Sequence, residues 1–236
     1  MKPIENLTIA RLFFNKDRWQ YEDSMRRMLS ALQQSRLIPN PPDTPATDGF
    51  AVDMARNMIV RGALKSGTDA VIWPDTDMIY PDDALVRLVS MANAGHMIAG
   101  GIYRKGAPPF HLLTEIEWEK PATLEELETA AQETGVAKVA MTAAGFTIVR
   151  KEVYHGIYRM YQQRFNLTPG KDKFPPWYCN YDFLNNWDEC GEDRFFMRRA
   201  AEIGITPVVD PYLGAVHWNM YGPIPVRDNQ PELRYC

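Results

Sequence analysis

Apolar positions along the chain switch between continuous short runs and a spacing near 3.6, the pattern of buried strands alternating with amphipathic helices. Leu7 to Phe14 predicts a first strand. From about Gln20 to Gln34, Tyr21, Met25, Met28, Leu29 and Leu32 share one helical face, and Glu22–Arg26 and Asp23–Arg27 pair four apart on the other. The stretch LIPNPPDTPATDG (37–49) carries four prolines and predicts a loop without regular structure. A loop that long in a compact domain is more often a functional edge than a connector. Phe50 to Ser66 predicts a helix stopped by Gly67, and Ala70 to Trp73 a buried strand. A helix from Asp82 to Gly95 precedes the strand-like HMIAGGIY (96–103), and Thr123 with Glu126 has capping-box spacing for a surface helix ending near Gly135. A strand near Ala144 to Arg150, the aromatic-rich FPPWYCNYDF (174–183), a helix from Glu192 to Ile203 closed by Gly204, and the short strand ITPVVD complete the pattern. The alternation predicts an α/β fold, one domain whose mostly parallel central sheet is flanked by helices.

Composition narrows what such a domain can do. With 236 residues, 45% of them hydrophobic, the chain can bury a substantial core. A net charge of -4 gives no global field that would draw in nucleic acid or an anionic membrane. Cys179, Cys190 and Cys236 have no metal-ligand spacing and suit a reducing compartment. The N-terminal apolar run is broken by Arg11 and Lys16, and no stretch of about 18 apolar residues is present. The expectation is a cytoplasmic protein without a membrane partner.

The candidate chemistry starts at AVIWPDTDMIYPDDAL (70–85), where Asp75 and Asp77 follow a run built for a buried strand. That is the carboxyl end of a strand, where open α/β sheets bind ligands. Residues two apart in extended chain point to one side, so the two carboxylates can converge on a cation. With 16 aspartates in the chain, however, about one Asp-x-Asp is expected by chance, and a solvated turn capping the next helix explains the tripeptide equally well. Glu192 and Asp193 open a second acidic site at a helix start, where the macrodipole alone accounts for them. Arg198 and Arg199 on the same helix could serve a phosphate or a solvated face. His217 follows the last strand; beside two carboxylates an imidazole suits Mn²⁺ and does not exclude Mg²⁺.

Four blocks carry a family resemblance in order: VDMARNMIVRGALKSGTDAVIWPDTDMIYPDDALVRLV (52–89), MIAGGIYRKGAPP (97–109), TAAGFTIVRKEVY (142–154) and GEDRFFMRRAAEIGITPVVDPYLGAVHWN (191–219). The sequence resembles GT-A-type glycosyltransferases of the large inverting group, family 2-like, which use nucleotide-diphospho-sugars. The blocks cover somewhat over a third of the chain, and residues 1–50 match least. The resemblance implies a single Rossmann-type GT-A-like domain, with residues 1–95 as the nucleotide half and 96–236 as the acceptor and catalytic half. It also implies a UDP-sugar donor and transfer to a hydroxyl with inversion. Asp75, Asp77 and His217 would then hold Mn²⁺ or Mg²⁺, Asp75 also reaching the ribose, with Asp193 as general base and Glu192 as its substitute or an acceptor contact. Arg56, Asn57, Thr76, Gly100, Gly101 and Tyr103 would lie around the donor, and Trp177, Tyr181 and Trp187 could wall the acceptor site. Aromatic core packing explains the last group at least as well. A sugar nucleotidyltransferase and a non-catalytic nucleotide- or glycan-binding protein are the alternatives; FFNKDRWQY lacks the glycine-rich phosphate loop of the first. The acceptor could be a small molecule, a glycan, a protein or a hydroxylated DNA base, and the last would call on Arg104, Lys105, Lys171 and Lys173.

Overall fold

The computed structural model describes residues 2–13, 19–168, 173, 175–185, 188–219 and 222–227. Its spine is a six-stranded sheet in the order Leu7–Ile9, Ala70–Pro74, Phe146–Arg150, Ile98–Ile102, Val208–Gly214, Ala137–Lys138. Four of these strands run one way, whereas Phe146–Arg150 and Ala137–Lys138 oppose their neighbours. The sheet is therefore mixed and mostly parallel.

Six helices stand among the described residues: α1 (Trp19–Ser35), α2 (Val52–Lys65), α3 (Ala84–Asn93), α4 (Leu124–Ala131), α5 (Lys151–Phe165) and α6 (Glu192–Glu202). Alternation along the central strands divides the core. Ala70 and Ile72 pack with α1 and α3 on one face, while Val71 and Trp73 pack with α2, α5 and α6 on the other. A third, smaller cluster seats α4 on Val209 and Ala137 at the sheet's far edge. The capping box of α4 forms as its spacing predicts, with Thr123 Oγ1 accepting from the Glu126 amide and Glu126 accepting from the Thr123 amide. No helix among the described residues is long and apolar enough to cross a membrane.

Two local expectations are corrected. The Pro-rich segment is not irregular throughout: Ala46–Asp48 pairs in parallel with Arg11–Phe13, and Asp43 exchanges backbone hydrogen bonds with Leu7 and Ile9. The segment lies on an open edge, where a proline's missing N–H leaves no ladder partner unsatisfied. The second correction is α5, which stands where the sequence pattern predicts only a strand ending at Arg150 followed by an aromatic-rich segment. Its buried Val153, Tyr154, Ile157 and Tyr161 fall at helical spacing, a signal available in the sequence.

Candidate active site

Asp75 stands where the Ala70–Pro74 strand ends, and backbone bonds fix it there. Its amide donates to the Gly145 carbonyl at 3.0 Å. The buried Tyr80 hydroxyl lies 2.9 Å from the Asp75 carbonyl and 2.8 Å from that of Gly145, so one phenol ties the two segments together. Gly145 is what lets the carboxylate lie so close: a Cβ there would meet Asp75 Oδ2 at 1.8 Å and the Tyr103 hydroxyl at 2.7 Å, and the side chains would have to move. The Asp75 carboxylate therefore rests directly on a backbone that no side chain shields.

Facing it is Arg56, on the inner side of α2 and only 2% exposed. Its guanidinium lies 3.1 Å from Asp193 Oδ1, 3.6 Å from Asp75 Oδ1 and 3.7 Å from Glu192 Oε1. The rings of Trp73 and Tyr178 flank it at 5.4 and 5.5 Å. Burial disfavours the charged guanidinium, but Asp193, Asp75 and Glu192 outweigh it and hold the arginine more firmly protonated than usual. Gly191, at φ 73°, turns the chain into α6 so that Glu192 and Asp193 occupy its first turn, where the helix dipole favours them. Burial is the largest influence on Asp75 and pushes its carboxyl up to about 7 against the pull of Arg56, with Asp77, Asp193 and Glu192 adding to the rise. Burial and Asp193 likewise push Glu192 up to about 7.

Asp77 meets His217 instead. The strand Val216–Asn219 pairs antiparallel with Met78–Ile79, which brings His217 Nε2 to 3.0 Å from Asp77 Oδ2. His217 Nδ1 lies 3.0 Å from the Arg104 carbonyl. Both ring nitrogens thus face oxygen acceptors, an arrangement satisfied by an imidazolium or by a cation between Nε2 and the carboxylate. Burial works against protonation, but the Asp77 hydrogen bond and charge raise the imidazole above its ordinary range. Asp75 is turned to Arg56, and among the described residues no three His, Cys, Asp or Glu side chains are grouped to hold a metal ion as they stand.

The remaining expected residues divide into those near this cluster and those committed to packing. Tyr103 is buried beside Asp75 and His217, its ring edge-on to the imidazole at 6.1 Å. Thr76 donates to the Leu12 carbonyl at 2.9 Å. Gly100 and Gly101 lie inside the sheet, where a Cβ on Gly101 would meet the Phe146 ring at 2.2 Å and the Leu213 carbonyl at 2.5 Å. Close strand packing accounts for that glycine. Asn57 spends its amide on the backbone, accepting from the Trp177 and Tyr178 amides and donating to the Asp53 and Tyr178 carbonyls. Trp177 is buried and donates to the Tyr154 carbonyl, whereas Tyr181 is half-exposed. Trp187 and Lys171 fall outside the described residues.

Arg198 and Arg199 both grip the buried Asp182, so neither is simply a solvated charge. Arg104 is bound to the Phe110 and Val226 carbonyls, whereas Lys105 and Lys173 are exposed. Asp48, which no sequence signal marks, ends the edge strand level with Phe13, one residue past the point where Leu12 bridges Asp75, and stands exposed. The alternating apolar run that would mark that strand is absent.

No protein-family model matches the chain, and no curated protein does. Among solved structures, the crystal structure of A197 from STIV overlays 91% of this chain and 86% of its own, with a TM-score of 0.56 at 14% identity, a shared fold. The crystal structure of a glycosyltransferase involved in the glycosylation of the major capsid of PBCV-1 covers 70% of each chain with a TM-score of 0.35 at 10% identity, a likeness too low to bear on activity.

Proposed function

We propose that the chain is a metal-dependent glycosyltransferase that moves a sugar from a nucleotide-diphospho-sugar, a UDP-sugar, to an acceptor hydroxyl with inversion. The observation that carries the reading is the convergence of Asp75, Glu192 and Asp193 on one buried arginine, beside the Asp77–His217 pair at the carboxyl edge of the sheet. Carboxylates from segments more than a hundred residues apart do not assemble around one cation without cost, since each loses water.

What supports a divalent cation is the chemistry of the donors: a carboxylate oxygen and an imidazole nitrogen stand 3.0 Å apart, a mixed oxygen and nitrogen pair of the kind Mn²⁺ accepts. Asp77 and His217 would hold Mn²⁺ or Mg²⁺, with the imidazole oriented by the Arg104 carbonyl, and Asp75 would meet the ribose or metal-bound water. When bound, the ion supplies Lewis-acid neutralisation of the leaving diphosphate. On the chain's own side, Asp193 takes the proton from the acceptor hydroxyl, a role typically worth about 10²–10⁴ in rate. Glu192, with its carboxyl near neutrality, can share that proton. Arg56 holds both acids beside Asp75, and the buried Tyr103 stands against the His217 ring.

The test is thermal unfolding with UDP, GDP, CDP and TDP, each with and without Mn²⁺, for the wild type and Asp77→Ala. Ligand at 100 times its Kd stabilises a fold by about 2.7 kcal/mol. A Mn²⁺-dependent shift with UDP that the variant loses is expected; no shift with any nucleotide would overturn the reading.

A further inference from the structure

We propose that α2 is the interface of a two-fold dimer, its occupant a second copy of this chain; the inference is independent of the chemistry proposed above. The inner face of α2 is buried, but its outer face is not polar. Phe50, just before the helix, and Met54 and Met58 follow one another four apart and are 42%, 54% and 46% exposed. Within the helix, four-residue spacing aligns Met54 and Met58 in one stripe, and Phe50 adds an exposed ring just ahead of its N-terminal end. The next position in that row is Gly62, exposed and with open space where a Cβ would stand.

Beside the stripe lies a groove of about 450 Å³ whose walls are Met58, Gly62 and Ser66 on one side and Thr44, Pro45 and Ala46 on the other. One helix thus presents large apolar knobs at its N-terminal half and a hole at its C-terminal half. That is the requirement of an isologous contact, in which one patch must complement itself. With two copies of α2 antiparallel and Met58 on the axis, Met54 falls on the partner's Gly62, and Phe50, ahead of the helix, is carried toward the C-terminal end of the partner's α2.

Charge supports the same register. The N-terminal end of the patch is acidic, with Asp48 and Asp53, and the C-terminal end is basic, with Arg61 and Lys65. Neither Arg61 nor Lys65 forms an ion pair among the described residues. An antiparallel pairing sets each acidic end against a basic one, whereas a parallel pairing would oppose like charges. Stable interfaces bury roughly 1,200–2,000 Å² in all, more than these three residues supply. The groove's second wall extends the patch onto the edge strand Ala46–Asp48, whose outer side pairs with no other strand among the described residues and which an interface would cover.

The experiment is sedimentation equilibrium from micromolar to near-millimolar protein, with far-UV circular dichroism and thermal unfolding on each variant. Wild type is expected at dimer mass. Met58→Lys, which sets two ammonium groups together on the axis, should raise the dimer Kd about tenfold or more with unchanged secondary structure. Gly62→Gln fills the hole and should also dissociate the dimer. Because glutamine is the better helix former, that variant's fold should be held or improved, so dissociation cannot be ascribed to misfolding. Asp53→Lys should weaken association, and adding Arg61→Asp and Lys65→Asp should restore it. A wild type of single-chain mass at every concentration, or a dimer indifferent to both Met58→Lys and Gly62→Gln, would overturn the proposal.

Discussion

Arg56 is the side chain on which most of the site's charge depends. It sits in a nearly water-free position because three carboxylates and two aromatic faces replace its hydration. Arg56→Met would leave Asp75, Glu192 and Asp193 crowded without a counter-ion. Removing one partner of a buried ionic cluster costs about 3–5 kcal/mol, and urea unfolding near neutral pH should show a loss of that order. A loss under about 1 kcal/mol would mean that the acids relieve themselves by taking up protons. Gly145 makes the opposite kind of claim. Ala at this position adds one methyl group, yet its Cβ would overlap Asp75 Oδ2 and crowd Tyr103. Overpacking of this kind typically costs about 1–3 kcal/mol, and here the carboxylate must also move. Gly145→Ala is therefore expected to abolish any Mn²⁺- and nucleotide-dependent stabilisation while the fold survives. Retained stabilisation would show that Asp75 is not held against that backbone when ligand binds.

At the scale of elements, α6 is held by its arginines, Arg198 and Arg199, which serve neither a phosphate nor a simply solvated face but a buried carboxylate. Asp182 is fully buried and accepts from Arg198, Arg199, the Leu184 amide and the Asn185 side chain, so the paired strands Tyr181–Asp182 and Asp188–Glu189 are pinned to the helix that starts with Glu192. Asn57 similarly fastens the Trp177–Tyr178 backbone to α2, which covers Arg56. Asn57→Ala should leave two amides and a carbonyl unsatisfied at about 1–3 kcal/mol each, partly recovered from water. Hydrogen exchange at Trp177 and Tyr178 should accelerate more than at the α2 amides; equal protection in the variant would refute the clamp. This assignment marks the limit of what the sequence could tell. Asp75, Asp77, Glu192, Asp193 and His217 were legible because a strand end, a helix start and a late histidine are local signals. That Asn57 faces a main chain 120 residues away is not local, and a side-chain amide reads the same whether it meets a nucleotide or a backbone. The direction of Phe146–Arg150 was equally hidden. A strand buried on both faces is an apolar run in either direction, and only its register against Pro74 and Gly100 shows that it runs backwards.

The whole molecule couples this acidic edge to its own stability. Folding holds protons on Asp75 and Glu192 up to about 7, whereas the unfolded chain releases them at their ordinary values of 3.8 and 4.5. Between those limits the folded state binds more protons, so stability falls as pH rises through the interval and levels off above it. His217 acts in the same direction: its raised imidazole contributes fully below the ordinary value of 6.5 and loses that contribution as pH rises through the folded value. Asp69 and Asp182 work oppositely. Burial raises both, but hydrogen bonds, Lys151's to Asp69 and Asn185's to Asp182, with further bonds and charges leave them below the ordinary 3.8, so their support is present at neutral pH and lost only in stronger acid. Without ligand, the melting temperature should therefore decline from mildly acidic to mildly alkaline buffer instead of peaking at neutrality. Glu192→Gln, which cannot ionise, should flatten part of that decline. Mn²⁺ added on the alkaline side should recover stability in the wild type, because a cation at Asp77 and His217 offsets the excess of negative charge. A melting temperature that rises steadily through the same range would show that these acids ionise freely in the fold, and with that the electrostatic case for a cation site would fall.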